Sequence, residues 1–412
     1  MSCFECTRAD ALRVVAGQGL PAIEPGMPTP AGTGLTRRSF VARSLGLALS
    51  VYGAGRFQLF EEGMAAAATG PAQPILVTVF LQGGADALSL LYPEGDPLYV
   101  KLRPQLAISG GTAFAEDDRL MWHPALAPIA QLHAEGKVSV LPAVGYDHPD
   151  QSHFTSRHFW EVGATDPRLL TGWLGRYLDA SGRLDNPLQG LSMTGSLQPA
   201  LATAKVPVAA IDGPDQYDFS VPGVWGEVET RMLDAIGSLG RVPAHDAATR
   251  AVTGVTAQAD TLRRQLAPFA TQGTVTPPVA YPTGTDSFPA RLQGLAAMVA
   301  AGLPLHCVAL EATGEYDTHA GQAAALTPAL TMTAASLFAF QRDLEARGVA
   351  DRVLTLVWSE FGRRAKENGS GGTDHGAAGT GFLIGSRAAG RQVGEFPGLA
   401  TGLDDDGNVK AT

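Results

Sequence analysis

The sequence predicts an α/β fold, a three-layer sandwich built on a mostly parallel central sheet. Two observations carry this. Residues 74–81, 305–310 and 352–358 are short, continuous apolar runs rich in β-branched side chains, as expected of strands buried on both faces. A helix-length stretch, residues 321–347, separates the second and third runs, and strands alternating with helices pair in parallel. Hydrophobic residues make up 45% of the 412 and charged ones 17%. That suffices for a large core and is too apolar for intrinsic disorder. The formal net charge of −10 argues against nucleic acid as a partner.

The chain opens on an address. Arg37-Arg38 is followed by Phe40, an apolar stretch over 45–55 and a small-residue run at 64–68. In that order they read as a twin-arginine export signal with cleavage near Ala68. The apolar stretch is shorter than the roughly 20 residues a membrane-spanning helix needs. Residues 1–68 are therefore expected to be a leader and 69–412 the folded domain, exported to the periplasm, the cell envelope or the medium. Cys3 and Cys6 leave with the leader, and no second pair completes a zinc site. Cys307, among apolar neighbours, reads as a buried strand residue.

The remaining elements follow in order. The run 74–81 ends in Gln82-Gly83-Gly84-Ala85-Asp86. A second strand covers 138–142, a polar loop 146–152, and a helix starts at Ser152 and stops at Gly163. The run 305–310 leads to Gly314 through His319, and 352–358 leads to Ser359-Glu360. A Gly-rich loop carries Asp374-His375 ahead of a last strand near 381–385. The middle, 164–290, is richer in Pro and Gly, with helices near 223–238 and 246–267, and is expected to be an inserted cap.

Asp86, Asp317, His319 and Glu360 all stand just past strand ends, and open α/β sheets bind ligands outside the carboxyl ends of their strands. Metal-capable side chains are thus expected to converge there, joined by Asp374 and His375. Each has a plainer role: Asp86 as a helix cap, Glu360 as the ion-pair partner of Arg363 or Arg364, Asp317-x-His319 as an accident of sequence. Ser152 is either a cap or a nucleophile favoured by the helix N-terminus. His153 is a base, a ligand or a packed ring. Arg157 either neutralises an oxyanion or is a solvated helix residue. His123, His133, His245 and His306 belong to no constellation and read as structural.

Phe80-Leu-Gln-Gly-Gly-Ala-Asp86, His123-Pro-Ala-Leu126, Gln151-Ser-His-Phe-Thr-Ser-Arg-His-Phe-Trp-Glu161, Asp317-Thr-His319, Ser359-Glu-Phe-Gly-Arg-Arg364 and Thr373-Asp-His-Gly376 together resemble domain-of-unknown-function family 1501. That family in turn resembles the alkaline phosphatase and sulfatase superfamily. The resemblance implies an alkaline-phosphatase-like core with an inserted cap, and two divalent metals flanking a nucleophile. Asp86 would bind one metal, Asp317, His319 and His375 the other, and Ser152 would be the nucleophile of a two-metal displacement. Glu360 would stand for the first residue of the superfamily's Asp-His pair. Phe361 follows it, so a nitrogen ligand is missing and oxygen ligands would favour magnesium, calcium or manganese over zinc. The usual Asp-x-x-x-His spacing is also shorter here, and relatives continue past Thr412 into a further helix. The implied function is metal-dependent hydrolysis of a phosphate or sulfate ester, on a small molecule or glycan at the cell envelope. The alternative is a catalytically silent relative that binds an anionic envelope glycan or a partner protein.

Overall fold

The computed structural model describes residues 51–52, 74–215, 224–240, 243, 246–272, 276–284 and 286–412. Arg37-Arg38, the cleavage run and His245 lie outside them; of the expected leader only Val51 and Tyr52 are described.

Among the described residues eight strands, five expected from sequence and three short ones not expected, form one sheet. They are β1 (Val51–Tyr52), β2 (Ile75–Phe80), β3 (Val138–Val144), β4 (Gly190–Ser192), β5 (Val208–Ala210), β6 (Cys307–Glu311), β7 (Val353–Trp358) and β8 (Gly379–Ile384). Their spatial order is β1-β5-β4-β6-β2-β7-β8-β3. The interior pairs β5–β4, β4–β6, β6–β2 and β2–β7 are parallel. Antiparallel pairing is confined to β1 at one edge and β8 near the other. In register, Val77 of β2 faces Val308 of β6 and Thr355 of β7, so the three apolar runs form the middle of the sheet.

Helices cover both faces. They are α1 (Ala127–Ala134), α2 (His153–Val162), α3 (Trp173–Ser181), α4 (Gly226–Leu239), α5 (Ala247–Gln272), α6 (Ser287–Ala300) and α7 (Gln322–Ala346). Successive strand residues point to opposite faces. Val77, Val79, Val308 and Leu310 accordingly join Leu292, Leu295, Leu330 and Leu337 of α6 and α7 in the main core. Leu76, Cys307 and Ala309 pack instead with Leu174 and Leu178 of α3. Helix α7 is long and apolar enough to cross a membrane by length and composition, but its apolar side is buried on the sheet.

The segment 164–290, expected as a cap, supplies β4 and β5 to the sheet, and α5 buries Leu262 and Leu266 in the main core. The two strands have three residues each and adjoin short 3₁₀ turns such as Pro187–Gln189. Runs that short show no periodicity in a sequence.

Strands β2, β6 and β7 end at Phe80, Glu311 and Trp358. The loops leaving these ends carry Gly83–Asp86, Asp317 through His319, and Glu360, on the one edge the sequence points to.

Candidate metal centre

Helix α2 begins where the sequence places it. Ser152 occupies the N-cap, its hydroxyl accepting from the Thr155 amide at 3.5 Å, and Gly163 ends the helix in the left-handed conformation at φ 61°. The cap puts His153 at the first helical position, over the ends of β2 and β7. A hairpin of Arg363–Glu367 and Thr373–His375 pairs His375 with Arg363, carrying a residue of the Gly-rich loop to the same point.

There His153, Asp317 and His375 converge, one ligand atom of each lying within 4.8 Å of the others. The hydrogen bonds fix which atoms face inward. His375 Nδ1 lies 2.8 Å from the Gln151 carbonyl, which can only accept, so Nδ1 carries the proton and Nε2 presents a lone pair. His153 Nδ1 lies 2.8 Å from Glu360 Oε1, a carboxylate that accepts, so Nδ1–H faces it and Nε2 faces inward. That Nε2 is shut off from solvent, has no hydrogen-bond partner and sits 3.5 Å from Asp317 Oδ2. His319 Nε2 stands 2.8 Å from His375 Nε2 and 3.2 Å from Asp317 Oδ1, so in this state a proton bridges the two imidazoles. With the protons on the inward nitrogens displaced, two imidazole lone pairs and a carboxylate make an electron-rich pocket that fits a cation. Ligand imidazoles held through their other nitrogen are usual at metal sites.

Without a cation the Asp317 and Glu360 carboxylates hold a second proton on His153, which a bound metal would displace. Burial works against charge on His153, but Asp317 and Glu360 outweigh it and hold its pKa up to about 9. Burial likewise opposes the Asp317 charge, yet His153, His375 and Arg363 hold that carboxyl well below the usual range. Burial lowers the pKa of His319, and Arg363 adds to the effect. Arg363 is buried and reaches Asp317 Oδ1 at 2.5 Å, the Gly84 carbonyl at 2.8 Å and the Thr373 carbonyl at 2.9 Å, locking the Asp317 loop to the hairpin.

Glu360 is placed differently from the expectation of a metal ligand. It is 1% exposed, and its oxygens accept from the Gly83 amide at 3.0 Å, the Gly84 amide at 2.9 Å and the His153 ring. Backbone amides relieve the burial of its charge, and it orients His153 from behind. The two glycines are required: both have positive φ, and a Cβ on Gly83 would meet the Asp317 amide at 2.3 Å, one on Gly84 the Phe361 ring at 2.2 Å. Phe361 lies under the centre, its ring 4.9 Å from that of His153 and 4.8 Å from that of His375. Phe361 thus forms an aromatic floor to the centre.

The structure does not bring Asp86 to this centre. Its carboxylate is fully buried and taken up by Arg103 at 2.5 and 2.9 Å, Ser89 at 2.6 Å and Gln322 at 2.6 Å. Nor is it a side-chain cap of the next turn. Asp374 stands at the rim, more than half exposed, 3.6 Å from His319 Nδ1. Arg157 is committed elsewhere: it bonds Glu161 at 3.0 Å, Glu311 at 2.9 Å and Gln198 at 2.7 Å, and lies over the Phe80 ring. It therefore holds carboxylates rather than an incoming oxyanion. His123 accepts from the Ala125 amide, a structural cap, and Cys307 is a buried free thiol. Arg103 and the Gln151 carbonyl carried no sequence signal, because a single arginine and a backbone atom form no motif.

Residues 229–410 match the family described as Protein of unknown function (DUF1501). No curated protein matches the sequence. Among solved structures, Ps i-CgsB in complex with k-i-k-neocarrahexaose is similar at 11% identity and TM-score 0.31, over 78% of this chain and 68% of that one. The PsFucS1 sulfatase from Pseudoalteromonas sp. is similar at 13% identity and TM-score 0.30, over 90% of this chain and 70% of that one. At such distance the fold rests on the sheet itself, and the chemistry on the centre.

Proposed function

We propose that the chain is a divalent-metal-dependent hydrolase of phosphate or sulfate esters, exported through its twin-arginine leader and acting on a small-molecule or glycan ester in the envelope or medium. One observation carries the proposal: the buried Nε2 of His153, without a hydrogen bond, faces Asp317 and His375. In it His153, Asp317 and His375 hold the cation, His319 is the adjacent nitrogen, and Glu360 and the Gln151 carbonyl fix the two ligand rings. Two imidazoles and a carboxylate suit a borderline transition ion such as zinc better than magnesium or calcium. A bound cation supplies Lewis acidity to the ester oxygens. Ser152, beside His153 at the helix N-terminus, is the candidate nucleophile, a role beyond the cap it forms here.

The test is metal content by elemental mass spectrometry on the folded mature protein and on His153→Ala, Asp317→Ala and Ser152→Ala, with an ester panel. The proposal requires bound metal that the first two substitutions remove and Ser152→Ala leaves in place, with turnover lost in all three. Folded protein without metal sinks it. A second reading, a metal-binding protein without turnover, is favoured by the Phe361 floor and by the engagement of Arg157. One metal per chain and silence across the panel would establish it instead.

A further inference from the structure

We infer that Asn408 is a positioning residue for the metal centre, acting through Gln151 on His375; this rests on the metal-binding reading above. Gln151 is one of two non-glycine residues with positive φ among those described, at 59°, a conformation that costs an L-residue energy unless its surroundings impose it. That conformation aims the Gln151 carbonyl at His375 Nδ1, 2.8 Å away, and so decides which nitrogen of His375 faces the centre. What holds Gln151 there comes from the far end of the chain. Its side-chain amide donates to Asn408 Oδ1 at 3.3 Å.

Asn408 is itself fixed. It is 2% exposed; its Nδ2 donates to Asp404 Oδ2 at 2.8 Å, and its backbone amide to Asp404 Oδ1 at 2.8 Å. The bond to Asp404 assigns the Asn408 amide, because a carboxylate accepts, and leaves Oδ1 as the acceptor for Gln151. The segment around it is bonded to the elements that frame the site. Ala365 of the hairpin donates to the Gly407 carbonyl, Ala378 to that of Val409, and Thr412 to that of Ala143 at the end of β3. The terminal segment is thus a strap whose one buried amide reaches the loop ahead of α2. Partners that orient a ligand imidazole commonly alter metal affinity by about 10–100-fold.

The experiment is a calorimetric titration of the full mature chain with zinc alone, beside the ¹⁵N shifts of His375 in the metal-free protein. Asn408→Ala is expected to weaken zinc binding at least about 10-fold and to shift His375 from the Nδ1-protonated tautomer to a mixture. Gln151→Gly, which can adopt a positive φ but has no side-chain anchor to hold it, is expected to weaken binding, and Gln151→Gly/Asn408→Ala to be little weaker than the weaker single variant, because both changes remove the same bond. Should Asn408→Ala fail to fold, Gln151→Leu removes the same bond and leaves the strap intact, with the same weakening expected. Wild-type affinity and tautomer in Asn408→Ala, or in Gln151→Leu where Asn408→Ala does not fold, overturn the inference. So does a double variant whose loss is the sum of the two single losses, since Asn408 would then act by a route other than Gln151. Absence of zinc binding by the wild-type protein overturns the metal centre itself.

Discussion

Replacing Asp86 by alanine is expected to destabilise the fold and to leave the metal centre loaded. The Asp86–Arg103 pair is fully buried, with both side chains at 0% exposure. Removing the carboxylate strands the guanidinium, whose remaining acceptors are the Ala365 and Arg364 carbonyls and the Ser89 hydroxyl. Breaking one side of a buried ion pair costs about 3–5 kcal/mol, a large share of the roughly 5–15 kcal/mol that holds a domain together. Removing both charges at once, in Asp86→Leu/Arg103→Met, should recover most of that loss, because no unpaired charge stays inside. The pair also sets an acid limit. Burial opposes the Asp86 charge, but Arg103 outweighs it and holds the carboxyl below its ordinary value. Its contribution is then fully present above a pH of about 3.9 and is lost as pH falls through the lower folded pKa. The assay is urea unfolding of the metal-free and zinc-loaded forms, with zinc counted per chain. Loss of metal in Asp86→Ala at wild-type stability would refute the reasoning and restore Asp86 as a ligand.

Three further outcomes are expected. Glu360→Gln should weaken zinc affinity about 10–100-fold while the protein stays folded, since the ring partner of His153 changes and the ligand atoms remain; unchanged affinity in a calorimetric titration would remove Glu360 from the site. Gly84→Ala places a methyl group 2.2 Å from the Phe361 ring at φ +68° and should cost about 2–5 kcal/mol in urea unfolding; a loss below about 1 kcal/mol would show that the Phe361 floor yields. Cys307, whose thiol burial pushes up to about 12, should resist alkylation at pH 8 until the protein is unfolded; fast labelling of native protein would contradict its burial.

The sequence by itself determined the middle of the sheet and the edge on which the site lies. Continuous apolar runs such as 74–81 and 352–358 have one low-energy place, in the middle of a covered sheet, and chain connectivity then puts Gly83, Asp317 and Glu360 at its carboxyl end. It also marked the residue types, because a buried Asp-x-His and a Glu between a serine and a phenylalanine need partners. What each residue does at that edge was decided only by tertiary structure. Glu360 reads as a ligand until the Gly83 and Gly84 amides meet it, and Asp86 reads as one until Arg103 arrives from another turn. His153 stays a base, a ligand or a packed ring until Glu360 takes its Nδ1 and turns Nε2 inward. These assignments hang on hydrogen bonds between residues as much as 277 positions apart. A hydrogen bond forms or fails over a few tenths of an ångström, a precision that hydrophobic patterning does not carry and the packed fold supplies.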